Sequence, residues 1–169
     1  MKFNNFSLIL SKLEEPSSRL TITDILSSLF KELDKNEVKN ASYLLIGSLA
    51  PSYEGVVFNV ADKMMMRAIS LSFNKSVEEI ETLSKKAGDL GTVAQSLAKE
   101  HITSKKEITD VYNALRTISD ESGEGSQEKR VSLIADLLQS LDQLSVRFVV
   151  RMILGKLRLG FSEKTIIDA

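Results

Sequence analysis

Residues 25 to 49, laid without a gap over residues 133 to 157, repeat one pattern at an offset of 108 positions. Leu29 falls on Leu137, Leu33 on Leu141, Asp34 on Asp142, Val38 on Val146, Gly47 on Gly155 and Leu49 on Leu157. Apolar residues also meet apolar residues at positions 25, 26, 30, 41, 44, 45 and 46. Two unrelated amphipathic hairpins would share part of this match by chance. The simplest account is one helical hairpin used twice, packed about a pseudo-twofold axis.

The rest of the chain supports helices. Phe3, Phe6, Leu10 and Leu13 recur at helical spacing up to Pro16, and Ile22 to Leu33 carries a longer stripe. Val38 to Leu49 reads as a helix stopped by Pro51, and Tyr53 to Val60 as a loop holding Gly55. Ala61 to Phe73 is a strongly apolar helix whose Met64, Met65 and Met66 cannot share one face and read as core filling. Ser76 to Glu79 has the form of a capping box for a helix to about Lys86, after which Gly88 to Gly91 forms a turn leading into Val93 to Lys99. Glu100 to Lys106 reads as a flexible polar connection, followed by helical patterns over Ile108–Ile118, Leu133–Leu141 and Val146–Leu157 and a final piece from Ser162 to Ala169. Strict apolar alternation is nowhere sustained, so the expected fold is all-α, a single multi-helix domain over residues 1–169.

Composition narrows the chemistry. With 43% apolar and 27% charged residues, the chain has the make-up of a folded soluble domain, and its net charge of −1 gives no global pull on a polyanion. The absence of cysteine excludes disulfides and thiolate metal sites, and one histidine, His101, argues against an imidazole zinc site. No stretch has the roughly 20 apolar residues of a membrane span, and Met1 to Leu10 lacks the form of a signal peptide. An intracellular protein without membrane partners is expected. The carboxylates show no paired spacing that sets acid–base chemistry apart from a charged surface, and there is no phosphate loop ending in Gly-Lys-Ser or Gly-Lys-Thr.

The two copies differ in charge. Tyr43, Ser48 and Ala50 correspond to Arg151, Lys156 and Arg158, while Thr21 and Ile22 correspond to Lys129 and Arg130. Between 129 and 164 there are seven basic and three acidic residues, a local charge of +4. Gly123-Glu124-Gly125-Ser126 permits a tight loop, Ser126 can cap the following helix, and Lys129 and Arg130 lie so early on that helix that an external anion would relieve their conflict with its dipole. Gly155-Lys156-Leu157-Arg158-Leu159-Gly160 alternates cation and apolar residue at a helix end, with Gly155 suited to close packing and Gly160 to the cap; Arg151, one turn earlier, belongs to the same face. Gly88, Asp89 and Gly91 form a third candidate, a turn whose amides would face a phosphate. Ordinary caps with solvated cations remain the alternative reading of each.

Taken together, the Gly123 to Arg130 and Ile153 to Gly160 segments, with Leu44-Leu45-Ile46-Gly47-Ser48-Leu49-Ala50-Pro51 and Gly88-Asp89-Leu90-Gly91 in the same order, resemble the N-terminal DNA-binding domain of archaeal and eukaryotic ATP-dependent DNA ligases. The likeness runs from about Phe3 to Ala169. It implies a pseudo-symmetric helical domain that binds the minor groove on both sides of a nick, without reading bases. Carried over motif by motif, Gly123, Gly125, Ser126, Lys129 and Arg130 would form one backbone contact, Gly155, Lys156, Arg158 and Gly160 another, with Arg151 beside it, and Gly88, Asp89 and Gly91 a third.

The resemblance further implies a parent enzyme that uses ATP and Mg2+ to seal nicks, working through nucleotidyltransferase and OB-fold domains, and it leaves contact with a sliding clamp open. The family's catalytic lysine lies in a Lys-x-Asp-Gly motif; none occurs here, and Lys86-Ala87-Gly88-Asp89 has the wrong order. The chain is therefore expected to be a piece of a longer ligase that stops near the domain's last helices, to hold no cofactor or catalytic residue itself, and to act as a monomer. The expected location is cytoplasmic and nucleoid-associated in an archaeon, nuclear in a eukaryote. The alternative from another class is a helical protein-interaction module whose apolar groove takes a partner helix.

Overall fold

The computed structural model describes residues 1–15, 18–100, 104–157 and 159–169. Ten α-helices are described: α1 (Phe3–Leu13), α2 (Arg19–Glu32), α3 (Lys35–Leu45), α4 (Asp62–Phe73), α5 (Val77–Ala87), α6 (Leu90–Leu97), α7 (Ile108–Asp120), α8 (Ser126–Gln139), α9 (Gln143–Ile153) and α10 (Glu163–Asp168). A single 3-10 turn, Ser52–Glu54, lies between α3 and α4.

The repeat is present and longer than the sequence match indicated. Helices α3 and α9 begin and end at equivalent positions, each opened by an aspartate, Asp34 or Asp142, whose carboxylate accepts amide hydrogen bonds from the first turn. Both close in the same way. Ser48 N–H donates to the carbonyl of Tyr43 and Gly47 N–H to that of Leu44, while Lys156 N–H donates to Arg151 and Gly155 N–H to Met152. These are two Schellman caps, with Gly47 (φ +69°) and Gly155 (φ +63°) in the left-handed conformation that the motif needs.

Long-range packing extends the symmetry to flanking helices. α1 packs on α9 and α7 on α3, so the helix preceding each hairpin leans on the hairpin of the other copy. α4 packs on α8 and α10 on α2, the same exchange on the C-terminal side. The dyad runs between the two caps, where a Cβ on Gly47 would be 3.8 Å from that of Leu157.

The core follows from the apolar stripes. Phe3, Phe6, Leu10 and Leu13 of α1 are fully buried, each adding roughly 1.5–3 kcal/mol of burial free energy. α9 buries Val146, Phe148, Val149, Val150, Met152 and Ile153 over more than half of its circumference, leaving the Arg147–Arg151 face half-buried, and is the central helix. Its one buried hydroxyl, Ser145, is satisfied by Ser7 at 3.0 Å and by the Asp142 carboxylate at 2.6 Å. Met65 is buried between half-buried Met64 and Met66, as core filling requires.

Several boundaries differ from those expected. α3 stops at Leu45, six residues before Pro51, and α9 at Ile153 rather than Leu157, because the Schellman glycine ends each helix first. Gly155 is therefore the cap residue and Gly160 (φ +74°) a turn residue on the way to α10. α6 starts at Leu90, which puts Gly91 inside a helix instead of a turn. Of the connection expected to be flexible, residues 101–103, including His101, lie outside the described residues. Its later part is pinned: Ser104 is buried, Phe3 N–H donates to Lys106 O at 2.8 Å and Ile108 N–H to Met1 O at 3.1 Å.

Candidate nucleic-acid interface

The loop before α8 is built on two left-handed glycines, Gly123 (φ +87°) and Gly125 (φ +75°). Gly125 takes the N-cap position, so Ser126 is the first helical residue and no side chain caps this helix. That corrects the capping role expected of Ser126; its amide instead donates to Gly123 O at 3.3 Å. The amides of Gln127 and Glu128 in the first turn are left without a side-chain acceptor, and Glu128 faces Arg67 of α4 at 2.7 Å.

The two cations that follow are occupied. Lys129 Nζ lies 2.7 Å from Glu121 Oε1, and Arg130, only 8% exposed, donates to the carbonyl of Glu121. Glu121 is the C-cap of α7, so both cations neutralise the negative end of that helix. The dipole conflict that suggested an external anion is thus relieved from within. Arg130 Nε is buried without a partner, which fits a side chain forced inward by the repeat: its counterpart, Ile22, is also buried.

At the end of α9 the cations are again held by carboxylates from other elements. Arg151 donates through Nε at 2.9 Å and NH2 at 2.8 Å to Asp89 Oδ2, and through NH1 to Glu14. Arg147 reaches the other oxygen of Glu14 at 2.7 Å. Burial works to raise the Asp89 carboxyl, but hydrogen bonds from Arg151 and Thr92 prevail and lower it to about 2. The Arg151 guanidinium is likewise raised despite the opposing effect of burial, by Asp89 first and then Glu14. Lys156, next to the Gly155 cap, pairs with Asp62 at 2.7 Å and 2.9 Å while staying partly exposed.

Gly88 (φ +71°) ends α5, donating to Ser84 O at 2.8 Å, and Asp89 caps α6 by accepting from Gly91 at 3.3 Å and Thr92 at 2.9 Å. The amides expected to face a phosphate here are filled by the chain's own carboxylate. Gly91 serves close packing: a Cβ on it would be 2.8 Å from the carbonyl of Arg147.

The fold therefore brings Gly88, Asp89, Arg151 and Lys156 into one small recess beside Glu14. The Gly125 segment connects to it through α4, whose Asp62 holds Lys156 and whose Arg67 holds Glu128, about 7.5 Å apart along the axis. Arg158 lies outside the described residues. The local charge of +4 is largely compensated by Glu14, Asp62, Asp89 and Glu121, all from outside the stretch in which it was counted. Glu14 and Asp62 gave no signal in the sequence, since each acts only after α1 and α4 have packed on the second copy.

The two glycine caps line one groove of this pseudo-twofold helical domain, and carboxylates from other elements hold the cations of the second copy. The model of the DNA ligase N terminus family matches residues 2–169, and the chain belongs to that family. It is 39% identical over 170 residues to DNA ligase 2 of Thermofilum pendens, covering 94% of this chain and 28% of that protein. It is also 35% identical over 169 residues to DNA ligase 1 of Methanosarcina acetivorans and 36% identical over 171 residues to the probable DNA ligase of Dictyoglomus thermophilum, covering in each case 100% of this chain and 29% of the relative. The chain thus spans under a third of these relatives and carries no Lys-x-Asp-Gly motif.

Proposed function

We propose that this chain is the DNA-binding part of an ATP-dependent DNA ligase, gripping nicked duplex through the minor groove and phosphate backbone without reading sequence. The observation that carries the reading is the dyad between the Gly47 and Gly155 caps. Duplex backbone has a local twofold axis of its own, so a domain with a matching axis can set one glycine cap against each strand, with the cations on the second copy's side. Free first-turn amides at α8 and the partly exposed Lys129 and Lys156 supply contacts to phosphate. Exposed ion pairs such as Lys156–Asp62 contribute about 0–1 kcal/mol, so a phosphate can replace the carboxylate at little cost. Arg151, enclosed by two carboxylates, holds the recess in shape.

In the whole enzyme, a nucleotidyltransferase domain would supply the lysine that takes AMP from ATP, and Mg2+ would assist transfer and sealing. This chain's share is to hold the DNA for those steps, alongside that domain and an OB-fold domain. A sliding clamp is a further partner on this reading.

The test is fluorescence anisotropy of nicked and intact duplexes of one sequence across a salt series. Binding that falls steeply with salt is expected, since phosphate contacts release counterions. The half-exposed Leu8 beside the recess between α1 and α2 favours the second reading, a protein-interaction module. Absence of DNA binding at low salt by the folded chain would support that reading instead.

A further inference from the structure

The first copy has its own recess where the second has the Arg151 site, and its chemistry is different. Tyr43 stands at the position of Arg151 and Lys39 at that of Arg147, and with Tyr53, Tyr112, Glu54 and Arg116 they line a recess of about 430 Å³. The volume lies within the range of small-ligand sites. Leu49 lines both this recess and the groove between the two glycine caps, so the recess opens beside the dyad.

Its cations are weakly paired and one of its tyrosines is free. Lys39 is exposed and has no ion-pair partner among the described residues, in contrast to Arg147. Among the described residues Arg116 pairs only with Asp120, at 3.7 Å. The Tyr112 hydroxyl donates to Leu49 O, which fixes that ring, whereas Tyr53 is 86% exposed with no packing role to explain it. Two cations beside a free aromatic face suit a ligand that is anionic at one end and flat at the other. Glu54 on the rim disfavours a bare dianion, which would gain nothing from the rings.

We propose that this recess binds an unpaired nucleotide of a DNA strand, with the base on Tyr53 and the phosphate between Lys39 and Arg116. Paired bases keep both faces stacked, so the ligand is a frayed or single-stranded nucleotide next to the duplex on the dyad. The inference rests on the DNA-binding reading for its ligand class, and the recess itself stands on the residues above.

The chain contains three tyrosines and no tryptophan, and all three tyrosines line this recess. Intrinsic fluorescence therefore reports on it alone. Titration with a single-stranded oligothymidylate, corrected for absorbance, is expected to quench tyrosine emission saturably. Tyr53→Ala and Lys39→Ala should each weaken the half-saturation point by at least about fivefold, the loss of one stacked base or one phosphate contact. Lys85→Gln, at an exposed lysine on α5 that lines neither recess, should leave it unchanged. No quenching, equal quenching midpoints in folded Tyr53→Ala, or equal competition by inorganic phosphate or a phosphotyrosine peptide would overturn the proposal. Nicked-duplex anisotropy in parallel separates the two ideas: duplex binding without quenching removes only the recess, and quenching without duplex binding removes only the duplex grip.

Discussion

Gly91 packs against Arg147 with no room for a side chain: a Cβ placed on Gly91 would lie 2.8 Å from the Arg147 carbonyl oxygen and 2.9 Å from Cγ of Arg151. This contact sets the distance between α6 and α9, the most extensive helix pairing in the fold. Gly91→Ala would press on a backbone atom that cannot rotate away, so α6 must move off the central helix. A loss of about 1–3 kcal/mol is expected, seen in urea unfolding as a lower midpoint at unchanged slope. Because Asp89 rides on the same helix, the variant should also weaken the Asp89–Arg151 pairing.

That pairing makes stability depend on acid. Asp89 is lowered to about 2 in the folded protein, against 3.8 when unperturbed. A carboxyl depressed on folding stabilises the native state fully above its unfolded value and loses that contribution as pH falls through the folded one. The window is therefore about pH 4 down to about 2. The pair is partly solvated, so screening reduces its share to about 1 kcal/mol. Asp89→Asn should lower stability at neutral pH and flatten the acid limb of the unfolding midpoint against pH; an acid limb identical to wild type would show that other carboxylates carry it.

How far the sequence could be read varies with the range of the interaction. The helices and the repeat were legible because a 3.6-residue stripe is a local signal; that Asp34 and Asp142 cap their helices emerges only from the structure. The helix ends are harder to place, because Pro51 is the stronger stop by residue type while Gly47 closes α3 first. Arg130 departs furthest from its residue type: charge favours the surface, yet the repeat aligns it with the core position of Ile22 and the fold buries it at the end of α7. Glu14 and Asp62 were invisible as partners, since nothing near Arg151 or Lys156 in the chain indicates which distant carboxylate will reach them.

The buried and exposed cations should separate cleanly in mutants. Lys156→Gln removes a partly exposed ion pair and is expected to change stability by no more than about 1 kcal/mol. On DNA it should weaken binding about equally across sequences and reduce the salt slope by about 1. Arg130→Ala strips the cap from α7 and leaves the Glu121 carbonyl short of a donor, so about 1–3 kcal/mol of stability should go. If Arg130→Ala instead lowered DNA affinity at unchanged unfolding midpoint, the arginine would have to leave its pocket to bind.

The two caps allow the symmetry itself to be measured. Gly47 and Gly155 hold the same left-handed conformation at equivalent positions, and an added Cβ meets only ordinary contact at the first and open space at the second. Alanine at either site is therefore penalised by backbone strain, about 1–2 kcal/mol, and the two losses should agree. Asparagine, which tolerates this conformation better, should recover part of each. DNA binding provides the contrast. Gly155 adjoins Lys156 and Gly47 adjoins Ser48, so equal losses of stability with a larger loss of affinity at Gly155 would show that the fold is symmetric while the grip on phosphate is not.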